Sequence, residues 1–424
     1  MKIGIIIGRI GGIDGVALET EKWIQVLENM GHKMFVITGL LERPLKGKYT
    51  ILPELNFYHP LTIREQKNAF FIQNIEEDVL LKQLEQTTAH IEKNILAWLV
   101  KYKIDLIISE NASALPCHLA MGLAINNILE ETEIPCICHD HDFHWERGDR
   151  YKSKFQSIKK IVKGFPVNLP NVKHAVINQQ GFRDLQNQNI ESIVIPNVMD
   201  FNENYGSLDD YNKTLKKDLK LEQDDILLFQ ITRIVRRKGI ETAIKLIHKL
   251  ENKKIKLIVT GSALDDHNRD YYCELMDLTT KLDLEDQIVF GAESFANFRH
   301  TNAITTTGNF KSKIYSLSDG YANATACTYF STYEGFGNAF VECVLAKKPI
   351  FVNNYKPVYS EDIGSKGFKT VMLEDNNLTD DKINNIKDVL INKKLANDIG
   401  EFNFELGKKH FSFEVLEELL KKLL

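Results

Sequence analysis

Two glutamates, Glu334 and Glu342, lie eight positions apart around a Gly-Phe-Gly turn in the segment TYEGFGNAFVECVLA. An apolar run, ACTYFS, precedes the turn and predicts a buried strand, while a run of helical period follows it. The start of a helix exposes unpaired backbone N–H groups, which suit an anionic or hydroxyl-rich ligand. Gly335 and Gly337 leave room for that ligand at the backbone, and Asn338 is expected as the N-cap. Both carboxylates would then contact one ligand from two sides.

The same segment has a simpler interpretation, in which a surface helix carries two solvated glutamates. Glutamates eight positions apart occur often by chance, so their spacing alone favours that interpretation. The complete order of strand, EGFG turn and helix is much rarer and favours a binding site. In parallel α/β sheets ligands bind beyond the carboxyl ends of the strands, and the turn is expected at such an end.

A basic turn, TRIVRRKG, follows a second predicted strand, DILLFQIT. Its Arg233 offers a bidentate fork and its Lys238 a point charge, and both suit phosphate oxygens. Fixed cations beside a leaving phosphate would stabilise the negative charge that builds up in the transition state. A solvated basic turn is the alternative, and Arg236 and Arg237 are taken as surface charges.

A loop dense in histidine and aspartate, CHDHDFHWERGDR, follows the predicted strand IPCIC. His139, Asp140, His141, Asp142 and His144 are all residue types that bind metal ions. Strict alternation of His and Asp in a loop does not place four ligands around one ion, so no metal site is predicted. A buried structural histidine is the plain interpretation of His139.

Length, charge and cysteine content limit the class of protein. The chain has 424 residues, too many for one core, so two or three domains are expected. Its 53 basic and 58 acidic side chains give a net charge of -5, which argues against nucleic acid as the main partner. No run of about 18 apolar residues exists, so no transmembrane segment is predicted. Six cysteines after a glycine-rich start that does not resemble a secretion signal predict reduced thiols and a cytoplasmic protein.

Both halves of the chain alternate short apolar strands with helical segments, which predicts parallel, doubly wound sheets. The segment 200–225 is polar and lysine-rich and is the expected interdomain linker. The first domain is therefore placed at 1–204 and the second at 205–407.

The string EGFGNAFVE resembles the E-x7-E motif of the retaining glycosyltransferases of family 4. TRIVRRKG is similar to the R-x4-K element of that family, GRIGGIDG to its N-terminal glycine loop, and the end of IPCICHD to its His-Asp pair. The resemblance covers nearly the whole chain and is strongest over 226–353. It implies an α/β protein of the GT-B fold, with two doubly wound Rossmann-like domains facing a central cleft. It also implies that the last helix, at about 408–424, returns to the N-terminal domain.

The resemblance implies a role for these residues in transfer of a sugar from a nucleotide sugar. Arg233 and Lys238 would hold the diphosphate, Glu334 the hydroxyls of the transferred sugar, and Glu342 the ribose hydroxyls. His139 would lie in the cleft and contact the transferred sugar or the acceptor. The further substrate-binding residues are Gly12, Gly335, Phe336, Gly337 and Asn338.

The implied activity is hexosyl transfer with retention of configuration, from a nucleoside-diphosphate sugar to an acceptor hydroxyl. UDP-glucose or GDP-mannose is the leading donor. A small polar or saccharide acceptor is favoured, with peripheral membrane contact left open and nucleic acid not expected. No cofactor and no metal are expected, because Arg233 and Lys238 would neutralise the diphosphate. The alternatives are a non-catalytic sugar-nucleotide-binding subunit and a phosphorylase or epimerase of the same fold.

Overall fold

The computed structural model describes residues 1–12, 14–262, 270–305 and 308–424. They form two compact units, each with its own sheet. The first unit contains Met1–Val198 and Phe413–Leu424, and the second contains Met199–Ser412. The domain boundaries predicted from the sequence, after residues 204 and 407, differ from the observed ones by a few residues.

The first unit is built on a seven-stranded parallel sheet in the order β3-β2-β1-β4-β5-β6-β7. Its strands are β1 (Lys2–Ile7), β2 (Lys33–Thr38), β3 (Lys48–Ile51), β4 (Leu106–Glu110), β5 (Cys136–Asp140), β6 (Val172–Val176) and β7 (Ser192–Val194). Its helices are α1 (Gly15–Asn29), α2 (Pro60–Gln66), α3 (Glu77–Tyr102), α4 (Leu119–Thr132), α5 (Gln156–Lys163), α6 (Gln179–Gln186) and the C-terminal helix Phe413–Leu423. Short helical turns cover Pro53–Leu55, Lys67–Phe71 and His144–Tyr151. The predicted doubly wound parallel sheet is confirmed for this unit.

Alternation along β5 decides which way its residues face, because successive side chains of a strand point to opposite sides. Cys136 and Cys138 pack into one hydrophobic cluster, and Ile137 packs into the cluster on the other face of the sheet. His139 continues the face of Ile137, where Trp23 of α1 stacks on its ring with 4.0 Å between centroids. The carboxyl end of β5 therefore presents a histidine to the buried side of α1.

The second unit is built on a six-stranded parallel sheet in the order β10-β9-β8-β14-β15-β16, with a small sheet in the order β11-β13-β12. Its strands are β8 (Ile226–Gln230), β9 (Ile255–Val259), β10 (Ile288–Phe290), β11 (Phe295–Ala296), β12 (His300–Ile304), β13 (Phe310–Ser316), β14 (Ala326–Tyr329), β15 (Ile350–Asn353) and β16 (Val371–Leu373). Its helices are α7 (Leu215–Asp218), α8 (Ile240–Leu250), α9 (Asp270–Lys281), α10 (Leu317–Asn323), α11 (Asn338–Leu345), α12 (Asp380–Ile391) and α13 (Lys393–Phe411). Short helical turns cover Asn212–Thr214, Arg236–Lys238, Tyr359–Ile363 and Gly364–Lys366. A second Rossmann-like sheet was predicted here and is confirmed.

The polar segment 200–225 packs onto the second unit instead of running free as a linker. Asn212 is 1% exposed, and its Nδ2 donates hydrogen bonds to Oδ1 of Asp319 at 2.9 Å and to the carbonyl of Ser207 at 3.0 Å. Polar composition predicted a linker because buried asparagines leave no apolar pattern in a sequence. The segment is structurally part of the second unit.

The hairpin of β12 and β13 was not predicted from the sequence. The two strands pair in antiparallel fashion from His300 opposite Ile314 to Ile304 opposite Phe310. Four of the five residues of β12 are exposed, so this strand lacks the apolar alternation by which strands are recognised. Among the described residues, no helix has the length and apolar character needed to cross a membrane.

Candidate active site

The EGFG turn joins β14 to α11, and Gly337 shapes it. The φ angle of Gly337 is +123°, and a Cβ at this position would lie 2.3 Å from Oη of Tyr355. That hydroxyl donates a hydrogen bond to the carbonyl of Phe336 at 3.1 Å. Helix α11 begins at Asn338 with Gly337 in the N-cap position, so the expectation that Asn338 caps the helix is wrong by one residue. The backbone of the turn is held in one conformation, as a preorganised set of N–H donors requires.

Glu334 precedes the turn and is buried against two cations. Its Oε1 accepts a hydrogen bond from Nζ of Lys238, and its Oε2 accepts one from Nη1 of Arg237 at 2.8 Å. Burial raises the pKa of Glu334, but the charges of Lys238 and Arg237 outweigh burial and hold that pKa below its ordinary value. The ammonium of Lys238 also lies 5.1 Å from the ring centroid of Tyr329. The carboxylate is therefore ionised and fixes the position of the lysine.

Arg233 and Lys238 lie together beyond the carboxyl end of β8, as their spacing predicted. The side chain of Arg233 is exposed, and that of Lys238 is 10% exposed. Burial lowers the pKa of Lys238, Glu334 opposes this, and the neighbouring charges of Arg237 and Arg233 lower the pKa further. Two cations, Lys238 and Arg237, thus share the carboxylate of Glu334, and the charge of Arg233 lies near Lys238. This surplus of positive charge suits a diphosphate.

The neighbouring arginines differ from each other. Arg236 is exposed and pairs with Glu274 at 2.7 Å, so it is a surface charge as expected. Arg237 is not a free surface charge. Its side chain is 37% exposed, and its guanidinium donates to Glu334 and to the carbonyl of Tyr333, both at 2.8 Å. The short turn Arg236–Lys238 sends adjacent side chains in different directions, and the RRK string does not reveal which arginine turns inward.

Glu342 lies about one turn into α11 and is half-buried. Its Oε2 accepts a hydrogen bond from Oη of Tyr321 at 3.1 Å, and the same hydroxyl lies 3.2 Å from the carbonyl of Ala339. Glu334 and Glu342 therefore stand on either side of the EGFG turn within the second unit. Eight of the ten predicted site residues belong to this unit, and Gly12 and His139 belong to the first.

Gly12 lies in the loop between β1 and α1 of the first unit. A Cβ at position 12 would lie 2.5 Å from Oε1 of Glu42. Arg9 of the same loop reaches Oε1 of Glu42 at 3.6 Å and Oδ2 of Asp14 at 3.2 Å. A side chain at position 12 would shift the flexible end of Glu42, so glycine keeps that carboxylate against the loop. Position 13, inside the glycine-rich string, lies outside the described residues.

His139 is fully buried and paired with a carboxylate that the sequence analysis missed. Glu110 ends β4 directly opposite His139 in the sheet register, and its Oε2 lies 3.0 Å from Nδ1 of His139. Burial disfavours the ionised Glu110, but the charge and hydrogen bond of His139, together with the nearby His141, outweigh burial and lower the pKa of Glu110 to about 2. Burial lowers the pKa of His139, but Glu110 outweighs it and raises that pKa above its ordinary value. The two residues form a buried ion pair.

His141 lies beside this ion pair and nearer to solvent. Its Nε2 is 3.7 Å from Oε2 of Glu110, and its ring centroid is 4.3 Å from that of His139. Burial, followed by the charge of His139, lowers the pKa of His141. One nitrogen from each histidine and one carboxylate oxygen lie within 4.8 Å of one another, so these three side chains could reach a single cation.

The aspartates of the loop point elsewhere, which explains why the alternating His-Asp string does not converge on one ion. Oδ2 of Asp140 is 2.6 Å from Nδ1 of His174, on the opposite face of β5 from His139. Burial opposes protonation of His174, but Asp140 outweighs it and raises the pKa of His174 to about 9. Asp142 accepts a hydrogen bond from Nδ2 of Asn111 at 2.9 Å. A strand alternates its side chains, so neighbours in this string serve different faces.

Comparison with known proteins decides the family. Residues 212–295 match the family model described as Glycosyl transferases group 1. The whole chain aligns with the mannosylglucosylglycerate synthase of Thermotoga maritima, at 32% identity over 441 positions and 99% of the length of that protein. The chain belongs to the glycosyltransferase family that contains this synthase.

A second relative agrees with this assignment, and a solved structure shows the same fold. The mannosylglucosylglycerate synthase of Petrotoga mobilis is 33% identical over 88% of this chain and 86% of its own length. The crystal structure of HepE from Anabaena in complex with UDP and glucose matches with a TM-score of 0.66 at 14% identity, covering 100% of this chain and 99% of that one. The predicted α/β GT-B fold is confirmed. This glycosyltransferase thus acts on a sugar donor and an acceptor, and the alternative of a non-catalytic subunit is not supported.

Proposed function

We propose that this glycosyltransferase moves a mannosyl group from GDP-mannose to a hydroxyl of glucosylglycerate, with retention of configuration. The observation that carries the proposal is the alignment of the whole chain with mannosylglucosylglycerate synthase at 32% identity. That name describes a product in which a mannosyl group is joined to glucosylglycerate. Of the two donors favoured by the sequence, GDP-mannose supplies that group.

The second unit supplies the groups that a nucleotide-sugar donor needs. Transfer breaks the bond between the anomeric carbon and the diphosphate oxygen, and negative charge builds up on that oxygen. Arg233 and Lys238, with Arg237 behind them, would stabilise this charge more in the transition state than in the bound donor. Backbone N–H groups of the EGFG turn would add further donors at the start of α11.

The two glutamates would divide the donor between them. Glu334 lies against Lys238, and we assign it to the hydroxyls of the transferred sugar, next to the diphosphate. Glu342 lies farther along α11 and would accept hydrogen bonds from the ribose hydroxyls. Each carboxylate has an oxygen suited to charge-assisted hydrogen bonds, which are stronger than neutral ones.

For the chemical step we favour substitution on the same face of the sugar. The bond from the anomeric carbon to the leaving diphosphate breaks as the bond to the acceptor oxygen forms. The acceptor hydroxyl loses its proton to the departing phosphate oxygen, so the reaction balances without a protein nucleophile. The fixed cations stabilise the ion-pair-like state in which the first bond is largely broken and the second is not yet complete.

The substrate assignment is tested by supplying purified enzyme with GDP-mannose, UDP-mannose, UDP-glucose or GDP-glucose, each together with glucosylglycerate. We expect transfer from GDP-mannose, and NMR of the product should show the anomeric configuration of the donor. A product of opposite configuration would refute retention. Transfer of glucose with no transfer of mannose would refute the assigned hexose while leaving the glycosyltransferase family intact.

We predict that activity persists in excess chelator, because Lys238, Arg237 and Arg233 would already supply positive charge to the diphosphate. The measurement is the transfer rate before and after dialysis against EDTA, with the metal content checked by mass spectrometry. A rate that collapses in EDTA and returns with one divalent ion would contradict the prediction. It would point to the group formed by Glu110, His139 and His141 as the place where the ion binds.

We also place the enzyme in the cytoplasm, as its unpaired cysteines suggest. All six are free thiols, and four of them are buried. Disulfides are rare in reducing compartments, where buried thiols persist. Fractionation of cells, followed by immunodetection of the enzyme, checks this location.

A further inference from the structure

The buried ion pair of Glu110 and His139 is the least expected feature of the first unit. Both side chains are 0% exposed, and Oε2 of Glu110 lies 3.0 Å from Nδ1 of His139. A buried ion pair often contributes less to stability than apolar side chains of the same volume would. Its presence at the carboxyl ends of β4 and β5, where α/β proteins bind ligands, therefore suggests a role in function.

The ring of His139 is enclosed on every side that the structure describes. Trp23 covers one face at an interplanar angle of 21°, and His141 is tilted against it at 50°. The nearby carboxylate of Glu19 is 1% exposed and bonded to Nζ of Lys22 at 2.9 Å. The side chain of His139 therefore reaches no solvent in this conformation.

The side chain of His141 is less enclosed than that of His139, although His141 is only two residues farther along the chain. Its side chain is 8% exposed, and its backbone N–H donates to Oδ1 of Asn111 at 3.1 Å, which fixes the residue beyond the end of β5. Among the described residues, Nε2 of His139 and Nε2 of His141 both lack a hydrogen-bond partner, and a buried polar atom in that state calls for an explanation. The side chain of His139 is 0% exposed, so of the two only His141 reaches solvent. A ligand hydroxyl would provide the missing partner.

We propose that His141 is the histidine that contacts an acceptor hydroxyl, and that the Glu110–His139 pair positions the imidazole ring of His141. Glu110 holds His139 in place through their ion pair. His139, with Trp23 stacked on its ring, packs against the ring of His141. This inference rests on the proposed transfer to a hydroxyl acceptor. It assigns the contact to a residue other than the one implied by family resemblance, and it gives Glu110 a positioning role.

The test compares matched substitutions at the two histidines. His141→Gln should lower kcat/KM for glucosylglycerate about tenfold, the effect of losing one hydrogen bond, while GDP affinity stays unchanged. His139→Gln keeps an amide that can donate to Glu110 and should retain most activity, whereas His139→Ala should lose more. His90→Gln is the control, since His90 is a histidine of the same unit that is 52% exposed.

Acceptor analogues that each lack one hydroxyl show whether the contact is direct. With the unmodified enzyme, one analogue should react about tenfold more slowly than glucosylglycerate, and with His141→Gln the same analogue should show no further loss. This pattern cannot arise from a purely structural defect. Thermal melting and GDP titration of each variant show that both units remain folded.

Two results would overturn the inference. If His141→Gln keeps full activity while both His139 variants lose it, His139 is itself the contact and His141 is not. The other result is that each deoxygenated analogue lowers kcat/KM, relative to glucosylglycerate, by the same factor in His141→Gln as in the unmodified enzyme. The ring of His141 would then have only a structural role. Failure of glucosylglycerate to react with the unmodified enzyme would instead refute the proposed acceptor. Titration with GDP alone would still measure binding on the donor side.

Discussion

Replacement of Lys238 by alanine is expected to lower turnover about a hundredfold, and replacement of Arg233 by alanine to have an effect of similar size. Each change removes one group that stabilises charge on the leaving phosphate, a loss of about 3 kcal/mol in the transition state. The measurement is kcat with saturating GDP-mannose and glucosylglycerate. Turnover within a few fold of the unmodified enzyme in either variant would contradict the phosphate role of that residue.

The structure indicates that the fold survives the change at Lys238. Glu334 would keep its hydrogen bond from Nη1 of Arg237 at 2.8 Å, so the buried carboxylate would not be left without a cation. Arg236→Ala is the matched control, because Arg236 lies two residues away and pairs with Glu274 at the surface. This control should keep turnover near that of the unmodified enzyme, which separates a specific phosphate contact from a general loss of positive charge.

The parts of the fold that follow from local sequence were predicted correctly. Apolar runs such as DILLFQIT form parallel strands, and the strand, EGFG turn and helix occur in that order at β14 and α11. The requirement for glycine at position 337 is visible in its positive φ and in the space taken by Tyr355. Local periodicity and turn chemistry are sufficient for these features, since each depends on residues close together in the chain.

Features that depend on distant pairing were not predictable from the sequence. Glu110 faces His139 because β4 and β5 adopt one register out of several, and 29 positions separate the two residues. Arg237 faces Glu334 across 97 positions, although its neighbours in the RRK string look equivalent. A carboxylate at the end of the strand LIISE was the one available signal for Glu110. Without the register it could not be assigned to the site.

The two glutamates around the turn are expected to affect different steps. Glu334→Ala should lower the transfer rate tenfold to a hundredfold, because a hydrogen bond to a charged group contributes about 1.5–3 kcal/mol. Its affinity for GDP alone should persist, since the diphosphate can itself pair with Lys238 and Arg237 once the carboxylate is gone. Glu342→Ala should instead weaken GDP binding by a comparable factor through loss of the ribose contact.

Calorimetric titration of each variant with GDP, which lacks the sugar, separates these effects from one another. Glu401→Ala serves as the control, because Glu401 is an exposed glutamate of the same unit that pairs with Lys347 at 2.8 Å. Its removal should change neither GDP affinity nor transfer. If Glu334→Ala loses GDP affinity and Glu342→Ala keeps it, the two assignments are reversed. If both variants bind GDP and transfer sugar normally, the carboxylates around the EGFG turn do not hold the donor at all.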